Sequence, residues 1–299
     1  MTSQAISVSQ LIHILWRAKW WMLVIPLFTA SVVFFVVKGL PDVYRSEVLL
    51  APTEANGSAL QLGQLGGIAA LAGIQMNNQT RNQARLAADV LVSRQFLTQF
   101  IAKYELTAPL YAAIDWDRKT NKLIYDSDIY DEVANNWSRE PVQGRGAEPS
   151  LLEVYEVLLE QLTVHRNIDT GMLTVSLEHY SPTLSQYWLT LLVTELNEYM
   201  KLRDIQQAQQ SLHYLQQQLT QTNIEEIRQS MFQLIEEQTK TLMLANVTEE
   251  YVYQTIDPAV VPELPSGPKR LLITLLALVL SALFTFMLIL LRWFNRNHD

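Results

Sequence analysis

The stretches WWMLVIPLFTASVVFFVV (Trp20–Val37) and LLITLLALVLSALFTFMLILL (Leu271–Leu291) contain no charged residue, and Lys19, Lys38, Arg270 and Arg292 bound them. Wound as helices at 1.5 Å per residue they would measure roughly 27 and 32 Å, the depth of a bilayer's hydrocarbon core. A helix or a closed barrel alone keeps every backbone amide satisfied in lipid, so two single spanning helices are expected. The polar remainder then falls between them. The expected organisation is a tail (1–19), a first span (20–37), an extramembrane domain (38–270), a second span (271–291) and a second tail (292–299).

Two spans put both tails on one side of the membrane. Basic residues near the spans balance: Arg17, Lys19, Arg292 and Arg296 on the tail side, Lys38, Arg45, Lys269 and Arg270 on the loop side. The first tail has no acidic residue, which favours tails inside. Trp20–Trp21 and Trp293–Phe294 stand where interfacial aromatic belts form. The first apolar stretch is longer than a signal-peptide core and no small-residue cleavage site follows it, so it is expected to remain. Four of the 22 basic residues and one of the 30 acidic ones lie outside the loop, so the loop carries a net charge of −11. That excludes nucleic acid as its partner. The absence of cysteine is compatible with an oxidising compartment without requiring one.

Along the chain, Ile6–Trp16 has apolar residues at helical spacing and is expected to lie in the interface ahead of the first span. Tyr44–Leu50 alternates as a strand. Ala59–Ile74 is apolar, small and broken by four glycines; it forms either a loop or a surface that meets lipid or a partner. Thr80–Tyr104 is expected to be helical and Leu110–Pro149 irregular. Ser150 caps a helix over Leu151–Leu162, and Leu162–Arg166 and Leu173–His179 are strands around a turn at Asn167–Gly171.

No glycine or proline occurs between Pro182 and Pro258. A single helix from Thr183 to about Ala245 would be some 95 Å long and would project from the domain. Ile205, Leu212, Leu215 and Leu219 form its apolar seam, suited to packing against helices of the same or neighbouring chains. The phase slips near Asn223 and resumes at Ile224, Ile227, Met231 and Leu234, so a bend near Thr222-Asn223 is the alternative. Tyr251–Ile256 is a returning strand. Pro258, Pro262, Pro265 and Pro268 then follow at near three-residue period, ahead of Lys269 and Arg270. This is either a stiff polyproline collar or a linker.

The chain offers no catalytic pattern. His13, His165, His179, His213 and His298 are scattered, and no cysteine joins them as a metal ligand. Asp126, Asp128 and Asp131 suggest a calcium loop, but its sixth position is Asp131 rather than glycine and its twelfth is Trp137. No phosphate-cradling glycine loop is followed by lysine. No cofactor is expected.

The ordered set of local motifs resembles the Wzz-type chain-length determinants, or polysaccharide co-polymerases, of Gram-negative inner membranes. The motifs are Leu-Trp-Arg-Ala-Lys-Trp (15–20) leading into the first span, Pro41 with Tyr44-Arg45-Ser46, and the segment from Gly66 to Ile74. Ser93-Arg94-Gln95-Phe96-Leu97, Ser181-Pro182, Ile256-Asp257-Pro258-Ala259 and Pro268-Lys269-Arg270 complete it. The resemblance implies an α+β chain: two transmembrane helices flank a periplasmic, membrane-proximal α/β domain carrying a very long protruding helix. It also implies a ring-like homo-oligomer in the inner membrane that acts with a Wzy-type polymerase on a lipid-linked polysaccharide, setting the modal length of O antigen or a related glycan. No catalytic activity of its own is implied. Sensor ectodomains share the two-span plan but need a cytoplasmic output module, which these tails lack. Spans of the family often bear glycine; Leu271–Leu291 has none, so close span packing of the GxxxG kind is not expected, though Ser281 and Ala282 leave a small patch.

Overall fold

The computed structural model describes residues 19–53, 82–141, 144 and 146–296. The interfacial helix expected at Ile6–Trp16 and the glycine-rich stretch Ala59–Ile74 lie outside them. The chain divides into two compact units, one of residues 1–43 and 265–299, the other of Tyr44–Leu264.

In the first unit, helix α1 (Lys19–Lys38) packs against helix α8 (Arg270–Arg296). Trp20–Lys38 and Arg270–Arg292 are long and apolar enough to cross a membrane. Most of their side chains are exposed, as apolar surface intended for lipid must be. The buried contacts use small or rigid residues, Pro26, Ala30 and Val37 on α1 and Thr285 on α8. The two helices therefore pack without glycine, and Ala277, Ser281 and Thr285 on the less exposed side of α8 supply the small surface. Thr285 Oγ1 donates to Ser281 O at 2.7 Å and Thr29 Oγ1 to Ile25 O at 3.0 Å, so neither hydroxyl is unsatisfied in an apolar setting.

The second unit is built on a four-stranded antiparallel sheet. Its strands are β1 (Tyr44–Pro52), β6 (Leu162–Arg166), β7 (Leu173–His179) and β8 (Tyr253–Asp257), in the order β6-β7-β1-β8. Tyr44 pairs with His179 and Leu50 with Leu173, so the chain ends of β1 and β7 are in full register. Tyr44, Ser46, Val48 and Leu50 are buried, while Arg45 and Glu47 are exposed; the period of two places one face against helices and leaves the other wet. On the wet face Arg45 Nε donates to Glu178 Oε1 at 2.8 Å, a cross-strand pair of register partners.

The covering helices are α2 (82–91), α3 (Arg94–Lys103), α5 (Leu151–Gln161) and the first half of α6 (Pro182–Gln221). The expected single helix over Thr80–Tyr104 breaks at Val92-Ser93 because Ser93 caps a new one, its hydroxyl accepting from Phe96 N. Ser150 caps α5 and Ser181 caps α6, with Pro182 at the first helical position. Trp188, Leu189, Leu192, Leu196 and Met200 of α6 form the core with Leu50, Val175 and Leu177. Ser185 ties that helix to both central strands, donating to Leu177 O at 2.7 Å and accepting from Ser46 N at 3.0 Å.

The region expected to be irregular holds a short helix α4 (Thr107–Tyr111) and two small hairpins, β2 (Ala113–Asp117) with β3 (Lys122–Tyr125) and β4 (Tyr130–Asp131) with β5 (Asn136–Trp137). Edge-to-face contacts join Tyr111 to Trp137 and Tyr125 to Tyr130, and a tilted pair of rings joins Trp137 to Tyr130.

In place of one helix over 183–245 there are two. Helix α6 ends at Gln221, residues 222–224 are extended, and α7 (Glu225–Val247) packs back along it. The reversal lies at the seam's phase slip, and neither glycine nor proline makes it. One uninterrupted helix would leave its apolar seam in water; the reversal lets each half cover the other. Ala208 and Ala245 are fully buried along this hairpin.

His179 ends β7, 2% exposed. Its Nδ1 accepts from Ser181 N at 3.1 Å, leaving Nε2 to donate to Pro109 O at 3.2 Å, and its ring meets Trp188 edge-on at 4.6 Å. Burial pushes its pKa down from 6.5 to about 4, against the opposing effect of the bond to Pro109. The unfolded chain therefore binds a proton that the folded one refuses. Stability is fully present above pH 6.5 and is lost as pH falls towards 4, by about 3 kcal/mol from this group. Thermal unfolding of the solubilised protein between pH 7.5 and 4.5 checks it: His179→Gln is expected to flatten the upper part of that decline.

Candidate functional site

The proline-rich stretch divides between the two units. Pro258, exposed, and Pro262, half-buried, belong to the α/β unit; Pro265, Pro268, Lys269 and Arg270 belong to the helical one. In the α/β unit the stretch is tied to the sheet and to α6: Ser46 Oγ donates to Val260 O at 2.8 Å and Gln186 Nε2 to Ala259 O at 3.2 Å. The chain bends at Glu263-Leu264. In the helical unit Val43 N donates to Gly267 O at 3.0 Å, and Ser266 N to Val43 O at 2.8 Å. Arg270 Nη2 donates to Asp42 Oδ1 at 2.9 Å and to Leu40 O at 2.8 Å. This guanidinium joins the chain leaving α1 to the chain entering α8. The stretch is thus a strap whose two parts are each anchored within their own unit.

Ile205, Leu212, Leu215 and Leu219 are half-buried on the side of α6 that α7 covers. Their seam is satisfied in part within one chain. Ile224, Ile227, Phe232 and Leu234, at the start of α7, remain exposed, as does Tyr214 on α6.

Where the α6–α7 hairpin leaves the sheet, a cleft of about 450 Å³ opens between α2, both hairpin helices and the segment before β8. Asp204 is held in it by two donors to one oxygen, Gln83 Nε2 at 2.8 Å and the Tyr251 hydroxyl at 3.0 Å. Burial, reinforced by the Asp204 charge, pushes Tyr251 up to about 12, so it stays a donor. Arg203, Gln207, Gln238 and Thr241 share the lining, and Leu86 and Leu244 supply apolar surface. The sequence does not signal this cleft, because residues 83, 204 and 251 meet only in the fold. Among the described residues no group of three His, Cys, Asp or Glu could hold a metal ion.

Comparison with known proteins gives a family match. Residues 4–104 match the model described as Wzz, chain length determinant protein. Two solved structures are similar. One is a full-length bacterial polysaccharide co-polymerase, 13% identical with TM-score 0.41, the alignment covering 98% of this chain and 99% of that one. The other is a fragment of WzzB, a polysaccharide co-polymerase from Salmonella Typhimurium, 14% identical with TM-score 0.33, covering 76% of this chain and 100% of that one. No curated protein matches. The family matched over residues 4–104 is the one that the ordered motifs of the sequence resemble.

Proposed function

We propose that this protein is a polysaccharide co-polymerase, a non-enzymatic inner-membrane scaffold whose bulk stands in the periplasm. It assembles as a ring-like homo-oligomer and sets the modal length of O antigen made by a Wzy-type polymerase on a lipid carrier. The observation that supports this best is the family segment over residues 4–104 in a chain with two candidate spans. The exposed apolar residues Ile224, Ile227 and Leu234 suit lateral packing between protomers. Deleting the gene and running lipopolysaccharide on a gel tests it. Loss of the modal cluster is expected, restored by the gene in trans; an unchanged ladder of lengths contradicts it.

Within this reading the strap transmits position between the α/β domain and the second span. Proline restricts backbone freedom that alanine restores. Pro262→Ala with Pro265→Ala is therefore expected to broaden or shift the modal length while membrane insertion stays intact. A wild-type ladder from that double variant reduces the strap to a linker.

A further inference from the structure

The cleft at the base of the α6–α7 hairpin has a chemistry of its own. Among the described residues that line it, Asp204 is the one carboxylate and Arg203 the one cation, so its charges cancel. That balance disfavours a phosphate, a polyanion or a simple cation as occupant. The polar groups are instead numerous and neutral, Gln207, Gln238, Thr241 and Asn82 among them, beside apolar surface of Leu86 and Leu244. The volume falls in the range of small-ligand sites.

Asp204 is fixed before any ligand arrives. One carboxylate oxygen takes both internal donors, and the other makes no hydrogen bond among the described residues. The Gln207, Gln238 and Arg203 side chains likewise make none there. A positioned acceptor flanked by amide and guanidinium groups matches adjacent hydroxyls, each of which donates one bond and accepts others. The apolar surface of Leu86 and Leu244 matches the C–H face of a sugar ring. A lipid chain would leave these polar groups dry and unpaired.

We propose that this cleft binds a neutral polyhydroxylated ligand, the sugar rings of a glycan, with Asp204 as the anchoring acceptor and Gln207 and Gln238 as its flanking partners. This rests on the co-polymerase reading for the identity of the glycan, and the cleft is the place where the scaffold would touch the polymer itself.

The test uses the full-length protein in detergent. The probe is the polysaccharide released by mild acid from the lipopolysaccharide of the encoding strain, with dextran of matched length and inositol hexakisphosphate beside it. Saturation-transfer NMR and calorimetry are expected to detect the polysaccharide. Asp204→Asn, which keeps the shape and the Gln83 and Tyr251 contacts, is expected to weaken binding about tenfold. Gln207→Ala with Gln238→Ala, both on helix surfaces and harmless to folding, is expected to weaken it comparably. Equal binding of dextran supports the polyhydroxyl class without discrimination between sugars. Preference for inositol hexakisphosphate overturns the proposal, as does polysaccharide binding that neither variant changes, or no binding at all. The gel of the deletion strain separates the two ideas: an unchanged ladder beside variant-sensitive binding removes the co-polymerase role and leaves the sugar site.

Discussion

Replacing Asn197 by leucine is expected to destabilise the α/β unit by about 3–5 kcal/mol, because three buried backbone groups lose their partner at once. Asn197 is 4% exposed on α6. Its Nδ2 donates to Tyr253 O at 2.9 Å, and its Oδ1 accepts from Val252 N at 2.9 Å and Tyr253 N at 3.0 Å. The need arises at the sheet's edge register, where Tyr253 faces Pro52. Thr53 N bonds Val252 O, so Tyr253 is at a non-hydrogen-bonded position of this edge strand and its N–H and C=O turn away from β1 to the helix instead. One side chain thereby docks α6 and seats the start of β8. Thermal unfolding of the solubilised protein should show a midpoint lower by about 10 °C for Asn197→Leu. Thr194→Ala, at an exposed position one turn earlier, should shift it little. Equal midpoints for both variants would mean the clamp is not needed.

Arg139→Ala is expected to cost about 3 kcal/mol and to release the small hairpins that follow α4. The guanidinium is 10% exposed and reaches four partners: Nε donates to Ala147 O at 2.6 Å, Nη1 to the Tyr111 hydroxyl at 2.8 Å, and Nη2 to Glu153 Oε2 at 2.7 Å and Glu148 O at 3.4 Å. It also lies over the Tyr111 ring at 5.2 Å. Glu153 sits in the first turn of α5, where a carboxylate already favours the helix dipole. Arg139 therefore fixes three elements by geometry as much as by charge. Lysine cannot reproduce a planar fork, so Arg139→Lys should rescue little. Limited proteolysis is the readout: cleavage between residues 113 and 149 should accelerate in both variants. Wild-type resistance in Arg139→Ala would contradict the role.

The parts of the fold that were legible in sequence are those written in consecutive residues. The spans stand out because no charge interrupts Trp20–Val37 or Leu271–Leu291. Ser150 announces α5 because a serine before an apolar helical repeat is a cap, and β1 and β7 announce themselves by alternation. The helix reversal at 222–224 was visible as a slipped seam near Asn223, but no glycine or proline marked it, and helix propensity favours running on. The hairpins after α4 turn at Asn121 and Asn135, both with left-handed backbone, φ 54° and 51°. Asparagine tolerates that conformation, yet its abundance there reads simply as loop. Of the strap, the prolines were legible and their anchoring was not: Ser46, Gln186 and Val43 reach it from distant parts of the chain. The cleft is the extreme case, since Gln83, Asp204 and Tyr251 share no local pattern.

Central to the account is that both apolar ends are embedded while the α/β unit and its helical hairpin stand outside the cytoplasm. The chain has no cysteine, so single cysteines report without background. Asp128→Cys, beside the hairpins, and Gln216→Cys, near the tip of α6, are both at exposed positions. A membrane-impermeant maleimide, applied to cells whose outer membrane alone is permeabilised, should label both. Protection of both until the inner membrane is lysed would put the domain in the cytosol and contradict a role in periplasmic glycan assembly.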